Sequence, residues 1–203
     1  IYSGKVVKYY DLPISHMFRK YKQKAFRASS LKSGDQVMVF CCGTGLDFAE
    51  ILNKIGNSGR ITGVDFSTEM LQIAGKRIEK QGWDNIELIQ ADVSEYTPIR
   101  EKQYNAGVCT LGLSIIPEYM KAYENLISNI QQGGEIIIGD MQLASKGFAR
   151  FNPLTIYLAK RFGGSEAGHR NSLAIVERMK KELNDVRKVE FFLGSYFYCI
   201  GKT

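Results

Sequence analysis

Strand-like and helix-like stretches take strict turns through the middle of this chain, and that alternation leaves few folds open. Gln36 to Cys41 is a short β-branched and aromatic run, and helical periodicity follows over about Leu46 to Ile55. The spacing then predicts a strand Arg60 to Asp65, a helix Thr68 to Gln81 and a strand Ile86 to Gln90. It continues with a strand Tyr104 to Cys109, a helix from about Glu118 to Ile130, a Gln131-Gln132-Gly133-Gly134 turn and a strand Glu135 to Gly139. Five βα units specify a parallel sheet with right-handed crossovers, and such sheets hold ligands outside the carboxyl ends of their strands. After Asp140 a longer segment runs through Arg170, followed by a helix of about Ser172 to Leu183 and two closing runs, Val186 to Leu193 and Tyr196 to Ile200, expected as an antiparallel pair. The aromatic residues of that pair, Phe191, Phe192, Tyr196, Phe197 and Tyr198, are expected to pack in the core and along the edge. The fold class is α/β, a doubly wound and mostly parallel sheet.

At 203 residues and 44% hydrophobic content, one domain can bury a sufficient core without disulfide or metal staples. The longest apolar stretches, such as Val37 to Cys42, fall far short of the roughly 18 residues that a membrane-spanning helix needs. Cys41, Cys42, Cys109 and Cys199 form no C-x-x-C pair, which suits a reducing, cytoplasmic setting. The two histidines, His16 and His169, offer no ligand-spaced cluster, so no metal is expected. The chain begins at Ile1 rather than Met, which leaves room for residues upstream.

The net charge of +6 is unevenly spread: residues 1 to 35 hold eight Lys/Arg and two Asp, and the remainder is balanced. Within that segment Ile14, Met17, Phe18, Tyr21 and Ala25 follow helical spacing, with Arg19, Lys20, Lys22 and Lys24 between them. A basic amphipathic helix results, and residues 1–33 are expected to cap the domain. Such a face is ordinarily a solvated one, but it also suits an anionic lipid surface or an anionic substrate. Aromatic residues do not interleave with Lys/Arg in a stacking pattern, so nucleic acid is disfavoured as a partner.

The first strand runs directly into Gly43-Thr44-Gly45, where glycines let a ligand approach the backbone and the amides that open a helix. A dinucleotide fingerprint would need a third glycine where Phe48 stands, which argues against NAD. Asp65 ends the second strand, twenty residues past Gly45, and its two oxygens match a ribose diol. Asp92, just past the third strand, puts a second carboxylate on the same rim, in reach of an exocyclic amine.

With these pieces the chain resembles the class I S-adenosylmethionine-dependent methyltransferases over nearly its full length. The resemblance rests on Gly43-Thr44-Gly45, Gly63-Val64-Asp65-Phe66-Ser67 with Met70-Leu71, Ala91-Asp92, and Gln132-Gly133-Gly134-Glu135. It is most similar to the ubiquinone/menaquinone C-methyltransferase and phosphatidylethanolamine N-methyltransferase group, which shares a segment like Tyr10-Asp11 and a basic N-terminal helix. The resemblance implies a Rossmann-like, seven-stranded sheet with an antiparallel last strand, and S-adenosylmethionine as cofactor. It assigns the methionine end to the turn of Cys41, Gly43, Thr44 and Gly45, the ribose to Asp65, the adenine faces to Phe66 and Met70, and the adenine edge to Asp92 and Val93, with Cys109 on the neighbouring rim. Two positions depart from the family pattern: Val39 replaces an acid and Cys41 a glycine.

Methyl transfer from a sulfonium is an in-line displacement that needs alignment and a water-poor site more than a dedicated catalytic group. After the fourth strand the chain reads Cys109-Thr110-Leu111-Gly112-Leu113-Ser114 rather than the Asn/Asp-Pro-Pro-Tyr/Phe motif of base and amide N-methyltransferases. The expected acceptor is therefore a small-molecule or lipid-like compound, covered by a substrate lid at 141–171 in which basic residues flank an apolar helix after Asn152-Pro153. His16, His169 and Tyr10 are the candidate proton acceptors, with Tyr9 beside them. The alternative is a catalytically inactive cofactor-binding protein that serves as a partner subunit or sensor.

Overall fold

The computed structural model describes residues 18–97, 103–143, 152 and 165–203. His16, Tyr9, Tyr10 and most of the expected lid lie outside the described residues. The elements are α1 (18–28), β1 (Gln36–Phe40), α2 (Phe48–Ile55), β2 (Arg60–Asp65), α3 (Thr68–Gln81), β3 (Ile86–Gln90), β4 (Tyr104–Thr110), α4 (Tyr119–Ser128), β5 (Ile130–Met141), α5 (Glu166–Glu182), β6 (Asn184–Phe191) and β7 (Tyr196–Lys202). Single 3-10 turns follow β4 at Leu113–Ile115 and β6 at Phe192–Gly194.

One seven-stranded sheet has the order β3-β2-β1-β4-β5-β7-β6. Strands β1 to β5 pair in parallel, and β7 runs antiparallel to both β5 and β6, so the closing hairpin inserts its second strand next to β5 and leaves its first at the edge. The order reverses between β1 and β4, which is where a doubly wound sheet opens a crevice. Alternation along the strands feeds two cores. Met38, Phe40, Ile136 and Ile138 meet Tyr123 and Leu126 of α4 and Ile175, Val176 and Met179 of α5. Val37, Val39, Val108 and Ile137 meet Ala25 and Phe26 of α1, Phe48, Ile51 and Ile55 of α2, and Ala74 of α3. Val39 is thus a core residue, 1% exposed.

Two boundaries differ from the expected ones for local reasons. The Gly133-Gly134 pair is a bulge within β5 rather than a turn before it: Gly133 takes φ +77°, its N–H donates to Thr203 O at 3.1 Å, and Thr203 N–H donates to Gly134 O at 3.0 Å. The register against β4 jumps between Tyr104 and Ala106 to absorb the extra residues. Helix α5 starts at Glu166 because Ser165 caps it, its hydroxyl accepting the Gly168 N–H at 3.0 Å. That first turn carries no apolar periodicity for a sequence reading to find.

Helix α1 is moored at several points. Both Glu135 carboxylate oxygens accept the Ser30 N–H, at 3.1 and 2.9 Å, and Gln23 Nε2 donates to Glu50 of α2 at 2.7 Å. Phe18 and Tyr21 pack against Phe192 and Tyr196 with ring centroids 4.6 to 6.2 Å apart. The 3-10 turn that they touch holds Phe192 at φ +48° and Leu193 at φ +58°, two consecutive side-chain-bearing residues in the left-handed region.

Candidate functional site

A cleft of about 580 Å³ opens at the carboxyl ends of β1, β2, β3 and β4. Its floor is the turn after β1. Cys41 (φ +51°), Gly43 (φ +54°) and Gly45 (φ +74°) coil this turn tightly, and the Asp65 carboxylate at the end of β2 holds it: Oδ2 accepts the Gly43 N–H at 2.8 Å and Oδ1 the Ser67 N–H at 2.9 Å. Arg77 of α3 donates to Thr44 O at 2.8 Å from the other side. Phe48, at the place of a third glycine, is fully buried against Gly45 and Gly63, where an added Cβ would come within 2.6 and 3.0 Å of its ring. The Phe48 ring thus fills the space beside both glycines.

Burial raises the Asp65 carboxyl above the usual carboxylate range, and the Ser67, Gly43 and Phe66 amides oppose this. The Gly43 and Ser67 bonds take one lone pair on each oxygen, and the carboxylate keeps acceptor capacity for a diol. Ser67 also caps α3 through its hydroxyl, which accepts the Met70 N–H at 3.3 Å. On the same wall the Phe66 ring is 74% exposed over the cleft, Met70 is buried beneath, and Val93 closes the far side. Asp92 is exposed; its Oδ1 accepts both the N–H and the hydroxyl of Ser94, at 2.8 and 2.7 Å, which orients the carboxylate on the rim. Asp65, Phe66, Met70, Asp92 and Val93, expected to share one slot, do line one cleft with Cys41, Gly43 and Thr44. Gly45 and Cys109 stand behind this wall: neither is among the lining residues, and Cys109 is 1% exposed.

Cys41 explains how a side chain fits where the family pattern has glycine. It points into the space left by Gly112, where an added Cβ would meet Cys41 Cβ at 2.4 Å and the Cys41 and Cys109 sulfurs at 2.9 and 3.1 Å. The Cys109 thiol contact and burial push the Cys41 thiol well above its ordinary pKa, so it is held protonated and is a poor nucleophile.

The β4 end of the cleft contains a group that sequence reasoning missed. Lys22 of α1 pairs with Asp47 at the head of α2, Nζ to Oδ1 2.9 Å, both side chains about 10% exposed, and Asp47 Oδ2 accepts the Thr110 hydroxyl. Leu46, Leu111, Ile115 and Ile116 surround this chain with apolar walls. Nearby, Asp140 at the end of β5 accepts the Ser114 N–H and hydroxyl and the Met141 N–H; burial pushes its carboxyl up to about 6 against those bonds and the Lys22 charge. In total the lining carries five carboxylates and one ammonium, a negative field suited to a cation. His169 lies in the first turns of α5, 2% exposed and off the cleft wall. Among the described residues no His/Cys/Asp/Glu cluster has the form of a metal site, and no helix is long and apolar enough to cross a membrane.

Strand order and cleft together define the Rossmann-like fold of the S-adenosylmethionine-dependent methyltransferases. Solved structures agree on the fold. A SAM-dependent methyltransferase from Aquifex aeolicus superimposes with a TM-score of 0.74 at 16% identity, covering 99% of this chain and 98% of its own. Phosphoethanolamine N-methyltransferase 2 of Haemonchus contortus, solved with S-adenosyl-L-methionine, gives 0.70 at 11% identity, covering 99% and 60%. Residues 5–149 match the model of the ubiE/COQ5 methyltransferase family, and the chain belongs to that family. It is 27% identical over 137 residues to the demethylmenaquinone methyltransferase of Bacillus velezensis and 26% identical to that of Bacillus subtilis, in each case over 66% of this chain. The chain spans 58% of the length of these relatives.

Proposed function

We propose that this chain binds S-adenosylmethionine in the β1–β4 cleft and transfers its methyl group to a quinol-type small molecule. The observation that carries the reading is Asp65: a carboxylate that the turn amides of Gly43 and Ser67 fix at the floor of a cleft, with lone pairs left for a ribose. The cleft fits the rest of the cofactor too, with Phe66 and Met70 as adenine faces, Asp92 as edge acceptor, and an acid-rich lining for a sulfonium. When bound, that group supplies an electrophilic methyl on a positively charged sulfur.

The chain's own residues then orient and exclude. Gly43 and Thr44 bring backbone close to the ligand, while Leu46, Leu111, Ile115 and Ile116 keep water from the β4 end, where a flat apolar ring finds matching walls. The Lys22–Asp47 ion pair and the Thr110 hydroxyl place polar groups beside that ring, where they can hold an acceptor's hydroxyl in position. The similarity to demethylmenaquinone methyltransferases points to the same acceptor class.

Labelled S-adenosylmethionine, incubated with reduced demethylated naphthoquinones and with a set of amines and phosphoamines, tests this reading. Label is expected in the quinols; label confined to the amines, or none at all, contradicts it.

A further inference from the structure

We propose that the 3-10 turn after β6 and the outer face of α1 form one docking surface for an anionic lipid bilayer. Among the described residues five large apolar side chains are exposed, and three of them, Val189, Phe192 and Leu193, lie on β6 and this turn. Leu193 is 60% exposed and Phe192 40%, and both are kept in left-handed backbone, which is costly for residues that carry a side chain. An exposed apolar tip held against its backbone preference is what a surface for another apolar phase requires.

Charge supplies the second, independent half. Residues 18–28 carry Arg19, Lys20, Lys22, Lys24 and Arg27 and no acid; all of these cations but Lys22 are exposed. The helix and the turn are contiguous: the Tyr21 and Phe192 rings are 4.6 Å apart, those of Phe18 and Phe192 5.9 Å, and Lys24 Nζ lies 5.2 Å from the Phe191 ring. An all-cationic helical face beside a protruding Phe-Leu pair matches phospholipid headgroups above acyl chains, with charge at one depth and apolar surface at the next. Water-exposed charge alone would not place the apolar pair there, and a purely apolar partner would leave the cations unmatched.

The patch also connects inward. Phe18 and Tyr196, both buried, pack with Leu46 and Leu111, which line the cleft. A continuous apolar seam therefore runs from the exposed turn to the β4 end of the site. Delivery of a greasy acceptor along this seam rests on the quinol reading above; docking does not.

Vesicle co-sedimentation of the whole chain tests the surface, with pure phosphatidylcholine against the same lipid containing about a third phosphatidylglycerol. Capture is expected on the anionic vesicles, and it is expected to fall at least fivefold when salt is raised or in Lys20→Glu/Lys24→Glu. Leu193→Asn, which suits left-handed backbone and so keeps the fold, is expected to lower capture about fivefold, and Leu193→Trp to raise it. S-adenosylhomocysteine affinity should be the same in all these variants, which separates a failed surface from a failed cleft. No capture on anionic vesicles, or Leu193→Asn and Leu193→Trp binding like the parent chain, would overturn the proposal.

Discussion

Asp65→Ala lowers the affinity for S-adenosylhomocysteine by more than tenfold, on the order of a hundredfold, when measured by titration calorimetry. The size follows from the number of bonds that one carboxylate serves. A hydrogen bond to a charged group contributes about 1.5–3 kcal/mol, and a ribose diol makes two with this acid. The same oxygens hold the Gly43 and Ser67 amides at 2.8 and 2.9 Å, so alanine also loosens the turn that carries the methionine end. Asp65→Asn keeps one acceptor oxygen and is expected to fall between Asp65→Ala and the parent chain, because its NH2 group leaves one of the two amides, Gly43 or Ser67, without an acceptor. Burial of the Asp65 carboxyl means that its charge has already been partly desolvated in the unliganded protein, so less of the binding energy goes to that step. Unchanged affinity in Asp65→Ala would remove the slot from the account.

Gly112→Ala destabilises the fold by about 3 kcal/mol, at the upper end of what overpacking costs, because the new Cβ would stand 2.4 Å from Cys41 Cβ with the Cys109 sulfur closing off retreat. The repair is specific. Cys41→Gly empties the space that Gly112→Ala needs, and it also returns a glycine to a position with φ +51°. The double variant is therefore expected to recover to within about 1 kcal/mol of the parent chain, a coupling of roughly 2 kcal/mol between the two sites. Denaturant titration of the four proteins in the cycle measures it. Additive effects would mean that Cys41 and Gly112 are not the complementary pair their contact describes. If the pair is complementary, the glycine missing from the turn after β1 has been replaced by one supplied from the loop after β4.

Much of this was legible in the sequence because it is local. The bounds of β2, α3 and β3 match their periodicity, and α3 stops where Gly82 takes the left-handed cap position. Asp65 and Asp92 were found because rim positions are counted from strand ends, and the turn Gly43-Thr44-Gly45 marks the first of these. The Lys22, Asp47 and Thr110 chain was hidden because its members lie 25 and 63 residues apart and meet only when α1 crosses the head of α2. Lys22 looked like one more solvated cation of a basic helix, and only packing shows that it alone among those lysines turns inward. Gly133-Gly134 read as a turn because glycine pairs serve turns and bulges alike; the partner that decides between them, Thr203, comes at the other end of the chain. The closing aromatics divided in a way their type does not reveal: Tyr196 and Phe197 are core, whereas Phe192 is 40% exposed on a strained turn.

A crystal soaked with S-adenosylhomocysteine gives the most direct answer. The ribose hydroxyls are expected on the Asp65 carboxylate, the adenine between Phe66 and Met70 with its amine toward Asp92, and the sulfur facing the walls of Leu111 and Ile115. An unfilled cleft at saturating ligand, or a nucleoside bound elsewhere with Asp65 untouched, would contradict that expectation.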